Sequence, residues 1–216
     1  MIWANSSHVI VLIFSLIFLL FFTIACDHKD TSKYNVVIDE SILQEGDLVF
    51  RLGRGTSSQI VHFADKENSY SHIGLLVKDS IGWCVIHAVP GESDETGGLE
   101  IIKCDPVARF FDYDRTVDGV IMRFDSINFI VSQIVRKAKE LYNAQILFDH
   151  QYLLSDTTTM YCTEFIHYVF LSANVDLSEG RRHSFPLVNE MIIFPSDILW
   201  NKALREVCKV EFSLKK

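Results

Sequence analysis

The hydrophobic pattern is most uneven at the N terminus of the chain. Residues 1–25 contain no Asp, Glu, Lys or Arg, and positions 9–22 are apolar apart from Ser15. An apolar core of about 14 residues is short for a membrane-spanning helix and typical of a secretory signal peptide. Extended to Ala25 the stretch reaches about 17 residues, the lower edge of a span, so an uncleaved anchor is the alternative.

After this stretch, apolar positions recur with the periods of both strands and helices. Strands are predicted over 46–51, 71–77, 83–89, 99–103 and 119–124. Helices are predicted over 56–64, 127–141, 162–173 and 196–204. Ser126 is the predicted N-cap of the second helix, and Ser196 is the predicted N-cap of the last. Antiparallel strands grouped between helices favour the α+β class over a βαβ repeat. No repeat and no Pro/Gly-rich linker divides the chain, so we expect one domain.

Composition narrows the function classes. The chain is 49% hydrophobic and 22% charged, values typical of a globular protein and not of a disordered one. The net charge is −8 and no basic run occurs, so nucleic acid is not an expected partner.

The apolar stretch ends in Thr-Ile-Ala-Cys at 23–26, which resembles a bacterial lipobox. This pattern predicts cleavage before Cys26 and lipidation of its side chain, so that the protein is anchored to a membrane of the bacterial cell envelope. An uncleaved anchor and ordinary secretion are the alternatives. The domain lies outside the cytoplasm in all three cases.

Cys162 is a candidate nucleophile. It follows the polar run 157–159 and opens an apolar-periodic segment, which predicts a position in the first turn of a helix. Free backbone N–H groups and the helix dipole lower the pKa of a cysteine at such a position. The alternative is a small buried hydrophobic residue.

His72 and His87 are the candidate partners of this thiol. With a turn over 78–82, residues whose numbers sum to 159 or 160 face each other, which makes the two imidazoles cross-strand neighbours. His72 is then the base and His87 orients its ring. Two further interpretations stay open, namely a pair of half-exposed strand histidines and a zinc site formed with Cys162.

The motifs at 46–50, 71–77 and 161–165 are similar, in order and spacing, to those of the circularly permuted NlpC/P60 hydrolases, and most of all to the YiiX-like permuted papain-like amidases. The resemblance covers most of 45–204. It also includes Tyr142, the Phe-Asp pair at 148–149, and 194–198.

This resemblance implies a permuted papain-like core in which an antiparallel sheet packs against helices. The nucleophile Cys162 lies at a helix N terminus and His72 on the sheet. His87 occupies the third catalytic position, where YiiX-like members often have Glu. Tyr161 and Glu164 are assigned to the substrate cleft, Glu164 as a hydrogen-bond partner and not as an acid catalyst. No metal and no cofactor are implied.

The implied activity is cleavage of an amide bond through an acyl-enzyme on Cys162. A cell-wall peptide, a lipopeptide and an N-acyl amide are the candidate substrates. An acyltransferase of the same fold and a non-catalytic binding lipoprotein are the alternatives. The domains are then a signal peptide at 1–25, a tether at 26–40 and a catalytic domain at 41–216.

Three cysteines keep no assigned role, namely Cys84, Cys104 and Cys208. An exported protein allows one disulfide among them, but their spacing does not select the pair.

Overall fold

The computed structural model describes residues 34–65, 67, 70–92, 98–185 and 188–215. The predicted signal peptide and the predicted lipidation site Cys26 lie outside these residues. Within these ranges, none of the helices combines the length and the apolarity that crossing a bilayer requires.

Twelve strands and five helices are found in the described residues. The strands are β1 (Tyr34–Val37), β2 (Leu48–Gly53), β3 (His72–Lys78), β4 (Trp83–His87), β5 (Lys103–Pro106), β6 (Thr116–Phe124), β7 (Leu147–Phe148), β8 (Thr159–Met160), β9 (His183–Ser184), β10 (Met191–Ile192), β11 (Leu204–Lys209) and β12 (Glu211–Leu214). The helices are α1 (Thr56–Ala64), α2 (Val107–Phe110), α3 (Asn128–Asn143), α4 (Cys162–Leu171) and α5 (Pro195–Leu199), and a single 3₁₀ turn spans Glu40–Ile42.

A six-stranded sheet in the order β11-β6-β2-β3-β4-β5 forms the centre of the fold, and all of its neighbouring strands are antiparallel. The predicted α+β class is therefore confirmed. Among the described strands, β4 is the only one that pairs with β5, so β5 forms an edge of this sheet.

The central strands are buried on both faces, which explains their nearly continuous apolar sequences. On one face, residues such as Phe50 and Leu75 pack against Ile134 of α3 and Phe165 of α4. The residues that alternate with these along each strand point to the other face of the sheet, where they form a second apolar cluster. This second cluster includes Val49, Leu76, Val85, Val107, Phe110 and Phe111. The helix that opens with Cys162 is thus held against the sheet by its apolar side.

Two predicted helix caps are wrong. Helix α3 starts at Asn128 with Ile127 as its N-cap, so Ser126 does not cap it. Helix α5 spans only Pro195–Leu199, since proline is favoured at the first helical position and the following segment pairs as β11. Ser196 lies inside this helix, and its hydroxyl donates to Asp65 Oδ1 at 2.6 Å.

Two predicted boundaries also differ from the structure. The predicted tether includes residues 34–40, but Tyr34–Val37 pairs with β12, where Tyr34 lies opposite Leu214. This pairing joins segments that are far apart along the chain, so the local sequence around residues 34–37 does not predict it. The strand predicted over 99–103 lies later, at Lys103–Pro106, and Ile101 makes only an isolated bridge to Leu147.

Candidate active site

Cys162 is the first residue of α4, as its sequence pattern predicts. The N-cap is Tyr161, whose backbone N–H donates to Glu164 Oε2 at 3.2 Å. The Tyr161 hydroxyl accepts from the Ile193 backbone N–H at 3.1 Å. These contacts hold the start of the helix, and with it the sulfur atom, at one side of a cleft.

Cys162 is a half-buried residue, and the environment of its thiol favours the protonated form. Burial raises its pKa to about 11, although the backbone N–H groups of Ile73 and Thr163 and the positive charge of Arg51 act in the opposite direction. At neutral pH this thiol therefore keeps its proton, and a base must remove it before the sulfur can attack.

The two predicted partner histidines lie together, but in a different register from the predicted one. Leu75 lies opposite Ile86 in the β3–β4 hairpin, so facing residue numbers sum to 161. The same register places Gly74 across from His87, and His72 diagonally beside it. His72 Nε2 lies 2.9 Å from His87 Nδ1.

Gly74 makes this diagonal contact possible. A Cβ atom at this position would lie 2.4 Å from Val85 Cγ1 and 3.1 Å from His87 Cβ. A larger residue would therefore displace the strand segment that carries His87. Because Gly74 has no side chain, Val85 and His87 pack closely against its Cα atom.

Asp105 on β5 extends the pair, and its sequence context does not single it out. His87 Nε2 lies 3.3 Å from Asp105 Oδ2, and Lys103 Nζ lies 3.3 Å from the same oxygen. Burial alone would raise the pKa of Asp105, but the hydrogen bond with His87 and the charge of Lys103 outweigh it and lower the pKa to about 2. Asp105 is thus an ionised carboxylate at every physiological pH.

This carboxylate determines where both imidazole protons lie. Burial lowers the pKa of His87 and lowers that of His72 well below the ordinary value, so both rings are neutral at pH 7. Asp105 accepts a hydrogen bond, so His87 carries its proton on Nε2 and accepts at Nδ1. His72 must then donate from Nε2. The lone pair of His72 Nδ1 is left available as a base.

Arg51 is a second residue of this group that sequence reasoning missed. It lies opposite His72 in the β2–β3 register and is only 1% exposed. Its Nη1 donates to the Phe110 carbonyl at 2.6 Å, its guanidinium lies 4.6 Å from the Phe110 ring centroid, and it pairs with Glu92. The available signal was an arginine between apolar residues of a predicted core strand.

The cleft beside Cys162 is largely apolar. His72, Cys162 and Tyr161 line it, as do the apolar side chains of Val61, Ala88, Val89, Phe148, Phe185 and Ile192. Among the described residues, no hydrogen bond joins the Cys162 thiol to His72.

Glu164 is not among the described residues that line this cleft, so its assignment to the substrate cleft stays a prediction. The side chain is buried below the helix start, where it accepts from the Tyr161 N–H. Burial raises its pKa to about 8, and its Oε1 has no hydrogen-bond partner among the described residues. This carboxyl group is therefore a structural cap that stays mostly protonated at neutral pH.

The alternative of a zinc site finds no support in the side-chain arrangement. Among the described residues, no three His, Cys, Asp or Glu side chains are grouped so that they could hold a metal ion. The facing nitrogen atoms of His72 and His87 bind each other instead.

No family model matches the chain, and no curated protein sequence matches it. Its structure is similar to the crystal structure of the metalloprotein yiiX from Escherichia coli O157:H7, with a TM-score of 0.61 and 20% sequence identity. The similarity covers 77% of this chain and 97% of yiiX. The expected likeness to YiiX-like proteins is thus confirmed at the level of the fold.

Proposed function

We propose that this protein is a thiol-dependent amidase of the permuted NlpC/P60, papain-like type. The observation that carries the proposal is the row of groups from His72 through His87 to Asp105, which ends at the cleft that also holds Cys162. A helix-opening cysteine, a base with a free lone pair and an orienting carboxylate are the parts that nucleophilic catalysis requires.

The reaction begins when substrate brings its carbonyl carbon to Cys162 Sγ. His72 Nδ1 takes the thiol proton as sulfur attacks, and the carbonyl oxygen becomes an oxyanion that accepts from the Cys162 N–H at the helix start. The proton then passes to the leaving nitrogen, the C–N bond breaks, and an acyl-enzyme remains. Water gives a proton to His72, attacks the thioester and releases a carboxylic acid while the thiol is restored.

His87 and Asp105 act through His72. When His72 gains a proton it becomes a cation, which a neutral imidazole alone stabilises weakly. Asp105 supplies the negative charge one ring further away and keeps His87 in the tautomer that accepts from His72. YiiX-like members often have a carboxylate at the third catalytic position, which would contact His72 directly. In this chain His87 stands at that position, and the carboxylate of Asp105 contacts His87 instead.

The apolar lining of the cleft favours an amide with an apolar acyl group. Phe148, Ile192 and Val89 offer no charged partner to a hydrophilic cell-wall peptide, whereas they bury an alkyl chain favourably. Each buried CH₂ contributes about 0.8 kcal/mol. We therefore favour an N-acyl amide or the acyl end of a lipopeptide over a cell-wall peptide.

A metal-dependent activity has to be considered because yiiX, which has a similar fold, is described as a metalloprotein. The residues of the present cleft do not fit such a role. His72 and His87 use their facing nitrogens on each other, and the described residues contain no three-ligand group. No step of the proposed reaction involves a metal.

Export and lipidation at Cys26 remain part of the proposal and rest on the N-terminal sequence alone. We expect the mature protein to begin at Cys26 and to carry acyl chains, so that it is membrane-anchored in the cell envelope. Intact-protein mass spectrometry of the membrane fraction tests this. A Cys26→Ala protein with an unchanged lipid mass would contradict it.

The decisive experiment compares the wild type with Cys162→Ala on N-decanoyl-p-nitroanilide, N-acetyl-p-nitroanilide and cell-wall muropeptides. We expect the decanoyl amide to be cleaved best and Cys162→Ala to be inactive on all three. Cys208→Ala is the matched control, because Cys208 lies on β11, far along the sheet order from β4. Cleavage that survives in Cys162→Ala would overturn the proposal.

The same assay separates the alternatives. Transfer of the decanoyl group to an added amine in preference to water would identify an acyltransferase. A non-catalytic binding protein would retain the decanoyl amide uncleaved, with the same affinity in Cys162→Ala.

A further inference from the structure

Cys84 and Cys104 lie side by side on neighbouring strands. In the β4–β5 register, Cys84 faces Pro106 and Ile86 faces Cys104, so the two cysteines are diagonal neighbours. Both belong to the apolar cluster on the helix-bearing face of the sheet. Their Sγ atoms are 2.7 Å apart. This is only about 0.7 Å longer than a disulfide bond of ~2.0 Å.

We propose that Cys84 and Cys104 form an intramolecular disulfide that fastens the edge strand β5 to β4. The inference does not depend on the proposed amidase activity, because neither cysteine lines the cleft. The spacing of Cys84, Cys104 and Cys208 did not determine which two would form a disulfide, and this proposal selects Cys84 and Cys104. Cys208 is remote from this pair, since β11 and β5 are the two opposite edges of the sheet.

The chemistry requires an oxidised disulfide as electron acceptor, such as oxidised glutathione or an oxidised thiol–disulfide exchange protein. One of the two cysteines, as its thiolate, attacks the oxidising disulfide and releases one thiol of the oxidant. The thiolate of the other cysteine then attacks the mixed disulfide and releases the second thiol of the oxidant. Cys84 and Cys104 together lose two protons and two electrons, and the oxidant gains both.

The cross-link would also hold together the row of groups formed by His72, His87 and Asp105. Strand β4 carries His87 and strand β5 carries Asp105, the residue that follows Cys104. In the part of the chain that the structure describes, β5 pairs with one neighbouring strand, so its hydrogen bonds open more easily than those of the central strands. A covalent link at Cys84 and Cys104 holds Asp105 within reach of His87.

Peptide mapping tests the link directly. The reduced full-length protein is incubated with oxidised glutathione, blocked with N-ethylmaleimide, digested with trypsin and analysed by mass spectrometry without reduction. We expect residues 79–103 to be linked to residues 104–109, while the peptide 206–209 carries maleimide on Cys208. Maleimide or glutathione on both Cys84 and Cys104 would overturn the proposal.

Thermal unfolding tests the stapling effect. Oxidation should raise the unfolding midpoint of the wild type by about 5–10 °C, because it closes a loop of some 20 residues in a chain of this size. Oxidation should leave the midpoint of Cys104→Ser unchanged, whereas Cys208→Ser should respond as the wild type does. An oxidised wild type that melts no higher than its reduced form would contradict the staple.

Discussion

His72 Nε2 lies 2.9 Å from His87 Nδ1, although Gly74 and not His72 is the residue directly across from His87. The contact therefore runs diagonally over a glycine. It makes His72 dependent on a second ring, and this ring depends in turn on Asp105. Proton positions at the cleft are thus determined by a carboxylate that does not contact His72 itself.

The resting thiol and base are predicted to be uncharged. With the pKa of Cys162 at about 11 and that of His72 well below 6.5, the rate of alkylation of Cys162 by iodoacetamide should rise about tenfold per pH unit from pH 6 to 9. Mass spectrometry of the Cys162 peptide measures this rate. A high, pH-independent rate between pH 5 and 7 would instead indicate a preformed thiolate–imidazolium pair.

Replacement of the orienting carboxylate should impair turnover and not binding. In Asp105→Asn the amide no longer fixes the His87 tautomer, so we expect kcat on N-decanoyl-p-nitroanilide to fall about 10–100-fold with KM nearly unchanged. Asp105→Glu should recover part of this loss. Asp114→Asn, at an exposed position, is the matched control. Equal losses in kcat for both Asn variants would refute the positioning role.

Removal of the buried positive charge at Arg51 should raise the pKa values of both imidazoles. Burial and the Arg51 charge act together to lower the pKa of His72, and the same two factors oppose protonation of His87. In Arg51→Met, NMR titration should show both pKa values closer to 6.5, whereas Arg51→Lys should leave them low.

Arg51→Met should also destabilise the fold by roughly 3 kcal/mol, because it leaves Glu92 without one of its two arginine partners. Urea unfolding measures this loss. Unchanged imidazole pKa values in a folded Arg51→Met protein would show that Arg51 has only a packing role.

Glu164 should make the protein less stable as the pH rises. Its pKa is about 8 in the folded state and ordinarily 4.5, so the folded state binds the extra proton between these values. Stability is therefore lost as pH increases from about 4.5 to about 8. Glu164→Gln resembles the protonated form and should be more stable than the wild type by ~2–4 kcal/mol at pH 9.

Urea unfolding of both proteins at pH 4.5 and pH 9 measures this difference, which should nearly vanish at the lower pH. Glu211→Gln, on an exposed position of β12, should behave as the wild type does at both values. The same difference at both pH values would show that Glu164 does not titrate as described.

Local sequence was sufficient for the elements whose stability depends on near neighbours. Helix α1 spans Thr56–Ala64 as predicted, and Cys162 opens α4. The β3–β4 hairpin was also evident from two apolar runs around a turn. In each case the deciding interactions lie within a few residues along the chain, where hydrophobic period and turn residues are visible.

The register of that hairpin was less predictable. The numbers of His72 and His87 sum to 159, so the predicted register placed them directly opposite each other, whereas the observed sum of 161 makes them diagonal neighbours on the same face. The register belongs to a hairpin in which β3 also pairs with β2 and β4 also pairs with β5. Register is determined by the whole sheet, because each strand must satisfy both of its neighbours.

By itself, the sequence determined the α+β class, the helix-opening cysteine and the two histidines that accompany it. Only the tertiary structure decided that Asp105 and Arg51 belong to the same group, that Glu164 is a cap and that Cys104 meets Cys84. These residues come together through strand pairing over long sequence separations. Burial on a shared face, which changes charge and proton positions, exists only after the sheet has formed.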